Sequence, residues 1–202
     1  MYKSHSEFKS NIQSSRDLST LYTYLTDNVK SGYSFEDVLR FQVVSAVSAI
    51  DKLIHDLIRV GMLDIFNGKR QQTPKYLNES ISLSLLHELD SATIPPREYY
   101  FEKYLVQKLG QMAFQSPDKI SDGLSFIWNE KEKWKKISSR IGQEQDSVKT
   151  TLRLIVDQRN RIVHEADVDL SSGAKFQISK VDCDFNVNFI ESCGTAIFEL
   201  VV

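Results

Sequence analysis

The segment TTLRLIVDQRNRIVH sets an arginine, an asparagine and a histidine where phosphodiester chemistry can use them. Its apolar residues Leu152, Ile155, Val156, Ile162 and Val163 recur at the spacing of one helix face. At about 100° per residue, Arg159 falls in the middle of that stripe, where a leucine would be expected. Asn160 and His164 stand i, i+4 and flank the stripe on one side. The cluster sits at a helix C-terminus, whose dipole favours positive charge. Two readings of Arg159 stay open from the pattern alone. Either it snorkels or pairs with an acid on a neighbouring helix, or it waits at a helix seam for an anionic ligand. A guanidinium that clamps a phosphate and an imidazole that moves a proton are the two parts phosphodiester cleavage requires. One histidine serves poorly as both base and acid, whereas two copies across a symmetric dimer supply both roles.

The remaining candidates carry less chemistry. Asp51 and His55 are i, i+4 on the most apolar helix of the chain, either a satisfied core pair or support for the active site. His5 and His87 read as surface residues, and Tyr99, Tyr100 and Phe101 as core packing rather than a base-stacking platform. No histidine pair has metal-ligand spacing and no Gly-rich loop is available to cradle a phosphate, so neither metal nor cofactor is expected. Cys183 and Cys193 are taken as reduced thiols of a cytoplasmic protein. The net charge of −2 decides nothing, but nine Lys/Arg against five acids between Glu130 and Arg161 leave that stretch at +4. Such a stretch either attracts phosphates or is a solvated helix face.

The elements that must position these residues are helices. In 202 residues, 41% hydrophobic and 26% charged, only eight glycines and four prolines occur, which favours long helices over many short strands. Glu7–Asn28 reads as a polar helix with a thin apolar stripe. Ser34 heads a capping-box pattern before an apolar helix that reaches Phe66 and wraps most of its circumference in hydrophobes. NGKRQQTPKYLNES is a loop. Helices follow over Ile81–Leu89, Glu98–Phe114, from Ser116-Pro117, over Trp128–Ile141 up to Gly142, and from Asp146 to His164. VDLSSGAKFQISKVD is an extended connection, and Asp184 caps the last helix. The expectation is a single all-α domain, 1–202, of six or seven helices. No stretch approaches the roughly 18 apolar residues of a membrane span, and MYKSHSEFKSN is too polar for a secretory signal.

The motif RNRIVH, Arg159 to His164 near the end of a penultimate helix, resembles the signature of the HEPN superfamily, an arginine and a histidine four to six residues apart. AVSAIDKLIHDLI, Ala46 to Ile58, is similar to the second-helix pattern of its RiboL-PSP-HEPN group. FIWNEKEKWKKISSRIG followed by RNRIVHEAD is similar to that group's closing half. The resemblance runs from roughly Asn11 to Leu200, with Gln158 where many relatives carry a basic residue. It implies an all-helical domain that dimerises to bring two arginine–histidine motifs over one RNA-binding cleft. Active members are metal-independent endoribonucleases of bacterial defence, toxin–antitoxin and abortive-infection systems, so RNA, a second copy and an antitoxin or other defence protein are the implied partners. Carried over, Arg159 stabilises the phosphorane, His164 handles the 2′-OH or leaving-group proton, and Asn160 orients the histidine or the phosphate. Arg161 and Arg153 are candidate phosphate contacts. The family also contains non-catalytic modules that bind a nucleotide or RNA, or dock a partner.

Overall fold

The computed structural model describes residues 1–30, 32–169 and 171–202. In these the chain forms α1 (Tyr2–Asn28), α2 (Glu36–Phe66), α3 (Pro74–Leu77), α4 (Leu83–Ser91), α5 (Arg97–Leu109), α6 (Pro117–Leu124), α7 (Lys133–Ile141), α8 (Gln145–His164) and α9 (Lys180–Val201). Among the described residues there is no strand, only an isolated bridge between Val168 and Lys175. The fold is all-α, as the sequence predicts. The helix count rises to nine among the described residues, partly because the expected loop after α2 contains α3. Thr73 starts that helix: its hydroxyl accepts from the Tyr76 N–H and donates to the Ser125 and Phe126 carbonyls.

Helix α2 is the axis of the bundle and packs against α1, α5, α6, α8 and α9. Its near-complete hydrophobic surface requires this. Ile50, Ile54, Leu57 and Ile58 are fully buried on successive turns, each stabilising the fold by about 1.5–3 kcal/mol relative to an exposed position. Small residues set the closest approaches. The Ser15 hydroxyl donates to that of Ser45 across α1 and α2 at 2.9 Å. A Cβ at Gly194 on α9 would lie 2.4 Å from the Phe8 ring, so that crossing demands a glycine.

Several boundaries differ from the sequence reading: α1 starts at Tyr2 rather than Glu7, α4 at Leu83 rather than Ile81, and α7 at Lys133 rather than Trp128. Helix α2 starts at Glu36, with Phe35 and not Ser34 in the cap position, and the Ser34 hydroxyl accepts from Glu36 N–H at 3.2 Å. Asp37 turns instead to Lys175 and Arg40. Helix α5 stops at Leu109, because Phe114 is buried and its N–H donates to Asp51 at 2.6 Å, folding 110–116 back onto α2. Helix α9 begins four residues before Asp184: Ser179 is the cap, accepting from Asp182 N–H and donating to the Asp182 carboxylate. S-K-V-D is itself a capping pattern. Gly142 closes α7 at φ 78°, the left-handed stop its position suggests.

Both cysteines are buried and free, and burial pushes each thiol up to about 12. His5 is not a plain surface residue: its ring stacks on Phe198 at 4.1 Å, and burial together with Lys9 lowers its basicity. His87 is exposed. Phe101 stacks on Phe66 inside the core, leaving Tyr99 exposed. Among the described residues no helix is long and apolar enough to cross a membrane.

Candidate functional site

Helix α8 carries the candidate residues Arg159, Asn160 and His164. Val148, Leu152, Ile155 and Val156 bury its inner face, chiefly against α2, and one turn further along that face lies Arg159. Continued burial forces the guanidinium into a half-buried position at the seam. Its Nη1 donates to Asn160 Oδ1 at 3.1 Å, and its Nε is enclosed without an acceptor. Among the described residues no carboxylate lies within ion-pairing distance of Arg159. A buried arginine neutralised by an acid, one of the two readings of the pattern, therefore finds no such acid among the described residues.

An unpaired guanidinium on an apolar stripe costs stability. Arg159→Leu is accordingly expected to raise the unfolding free energy by about 1–2 kcal/mol, a rise in Tm of roughly 2–8 °C for a chain of this size. Thermal unfolding of the two proteins measures it. A lowered Tm would mean that the guanidinium holds the seam together.

Asn160 bonds to Arg159 rather than to His164, so the amide orients the guanidinium. Asn160 also lines a cavity of about 340 Å³ between α8 and residues 111–119. His164 is the last residue of α8 and exposed, roughly 6 Å along the axis from Asn160. Among the described residues no group of three or more His, Cys, Asp or Glu is arranged to hold a metal ion.

The two other arginines part company. Arg153 projects from the α6 side of α8, exposed, 3.5 Å from Asp118. Arg161 points elsewhere: its Nε lies 3.7 Å from the buried Asp167, and its guanidinium covers the Phe176 ring at 5.0 Å. Gln158 accepts from Asn186 at 3.0 Å, joining α8 to α9.

Asp51 acts on the backbone more than on His55. Its carboxylate accepts from Phe114 N–H at 2.6 Å and Gln115 Nε2 at 3.0 Å, whereas His55 Nε2 is 3.6 Å away. His55 packs edge-on against Phe114. The pair thus fixes the segment that faces Asn160 across the cavity.

Sequence reasoning missed Arg40 and Asp167. Asp167 is 2% exposed, three residues beyond His164, and accepts from Arg40 Nε of α2 at 2.9 Å. Arg40 also donates to Phe176 O at 2.6 Å. The chain leaves α8 through Ala166 and Asp167, both with positive φ, so this ion pair pins the exit of the motif helix. The only sequence signal was Arg40 itself, a charge on the buried side of an apolar helix. Its partner lies 127 positions away.

Comparison with curated proteins and with solved structures gives no match. A family model, RiboL-PSP-HEPN, matches residues 9–202. HEPN domains are generally ribonucleases or RNA-binding modules. With a match over nearly the whole length and an all-helical fold, the chain belongs to the RiboL-PSP-HEPN family.

Proposed function

We propose that the chain is a metal-independent endoribonuclease that works as a homodimer, with Arg159, Asn160 and His164 of each subunit forming its catalytic centre. The observation that carries this reading is the half-buried Arg159 guanidinium, oriented by Asn160 and matched by no carboxylate among the described residues, one turn before an exposed histidine. A phosphate diester is the anion whose oxygens fit such a fork.

In the proposed reaction a neutral His164 takes the proton from the ribose 2′-OH, and the 2′ oxygen attacks the adjacent phosphorus. The new O2′–P bond forms as the P–O5′ bond breaks. The partner subunit's His164, protonated, delivers its proton to the departing 5′ oxygen. Arg159 stabilises the charge on the equatorial oxygens of the phosphorane, where a preorganised donor is worth most. The products are a 2′,3′-cyclic phosphate and a 5′-OH.

A site for the second copy lies beside the motif. Phe41, 58% exposed, and Val163, 45% exposed, line a groove of about 390 Å³ with Val44 and Ile162. Val163 adjoins His164, so a two-fold axis through this groove brings the two imidazoles together. Phe41→Glu is expected to weaken the dimer roughly 30-fold or more, the loss of one buried aromatic anchor, and to remove cleavage with it. Light scattering across a dilution series reads the first effect. An unchanged dimer would place the contact elsewhere.

The deciding test is RNA incubation with purified protein in excess chelator, with a substrate carrying 2′-deoxyribose at the cut position as control. Cleavage of the first and survival of the second support the reading. RNA binding without cleavage selects a non-catalytic family module instead. The defence role predicts slowed growth of an expressing host, relieved by a cognate antitoxin.

A further inference from the structure

The geometry points to a nucleobase pocket beside the motif: the cavity between α8 and residues 111–119 takes the base of a nucleotide flanking the scissile phosphate. For its role in cleavage this inference rests on the ribonuclease reading. Its occupancy by a nucleotide can be tested without it.

At about 340 Å³ the cavity is at the small end of ligand pockets, suited to one nucleoside rather than a peptide. Met112 and Val156 give it apolar surface, while Gln111, Gln115, Lys119 and Asn160 supply polar groups at its border. Apolar faces with a few fixed amides match a flat base that carries donors and acceptors on its edge. Two of these amides have one end committed and the other open. Gln115 gives its Nε2 to Asp51, leaving Oε1 to accept from a ligand. Asn160 Oδ1 receives Arg159, leaving Nδ2 to donate. An acceptor and a donor held in fixed orientation can pair with a base edge, and neither has to reorganise first.

Asn160 connects the pocket to the reaction centre. The same residue borders the cavity and, through its Oδ1, holds the guanidinium that would bind the phosphate, a spacing that suits the base and phosphate of neighbouring nucleotides. Lys119, exposed and without a carboxylate partner among the described residues, stands at the rim beside the Arg153–Asp118 pair. It suits the next backbone phosphate. The pocket also gives Asp51 a purpose: its two bonds to Phe114 and Gln115 hold the pocket wall to the central helix.

The experiment uses the full chain, titrated with the four nucleoside 3′-monophosphates and followed by backbone and side-chain amide resonances. Shifts concentrated at Gln111, Ala113, Gln115 and Asn160 are expected, strongest for one or two of the four bases. Ala113→Trp fills the cavity from an exposed position, and Gln111→Ala trims the exposed rim without touching the core. Either should raise the nucleotide Kd about tenfold, and cleavage of a randomised RNA should lose its preference at one position next to the cut. Cleavage by the wild type with no shifts at 111–119 overturns the pocket and leaves the nuclease standing. Pocket shifts in a protein that cuts no RNA keep the pocket and overturn the nuclease. Equal shifts for all four bases, unaltered in Ala113→Trp, reduce the effect to phosphate binding at Lys119 and overturn base recognition.

Discussion

His164→Ala is expected to lower the RNA cleavage rate by at least about 10³-fold and to leave the protein folded. A positioned acid or base contributes roughly 10²–10⁴-fold, and in a two-fold site the substitution removes both. The fold survives because the side chain is exposed at the last turn of α8 and holds nothing in place, so stability should change by no more than about 0.5 kcal/mol. Single-turnover cleavage and thermal unfolding of the same preparation report the two quantities. Arg159→Ala is expected to lose about 10²–10³-fold by removing the charge aimed at the phosphorane. Subunit mixing sharpens the test. With wild type and His164→Ala re-equilibrated in equal amounts, a site needing both histidines keeps about a quarter of the activity, since only that share of dimers is intact. Independent sites would keep half. Full activity in His164→Ala would end the catalytic assignment outright.

The helical class and the centre of the bundle were legible in the sequence because they depend on periodicity. Apolar residues all round α2 could be satisfied only by neighbours on several sides, and Arg159 broke a stripe that its neighbours defined. Caps were less legible. Ser34 and Ser179 both head an S-x-x-D pattern, yet only Ser179 forms the cap, because Asp37 is drawn away by Lys175 and Arg40. That competition arises between segments far apart in the chain. The same holds for Asp51, whose i, i+4 partner His55 was visible while its stronger partners at 114 and 115 were not. Arg161 illustrates the limit from the other side. Its place in the motif suggested a phosphate contact, while its neighbours Asp167, 3.7 Å from its Nε, and Phe176, under its guanidinium, are reached only once the chain turns back after α8.

Asp167→Asn should destabilise the protein by about 3–5 kcal/mol, the cost of removing one member of a buried ion pair, or roughly 6–20 °C in Tm at this chain length. Arg40 is enclosed and donates its Nε to Asp167, and Arg161 approaches the same carboxylate. Neutralising that carboxylate leaves the enclosed Arg40 facing a neutral amide, while the partly exposed Arg161 keeps access to solvent. The exposed Asp37 and Glu36, at 3.3 and 3.6 Å from Arg40 Nη1, offset little of this, since solvent screens them. Asparagine is the informative replacement because it tolerates the positive φ of 56° at this position, so the loss measures charge and not backbone strain. Arg40→Met paired with Asp167→Asn should lose less than the sum of the single changes, since no cation is then left facing a neutral amide. Simple additivity would show that the two residues do not act as a pair. Cleavage should fall alongside stability even below the melting transition, because this pair fixes where α8 ends and therefore where His164 stands. Activity retained in a measurably destabilised Asp167→Asn protein would confine the pair to folding and detach it from the positioning of the motif.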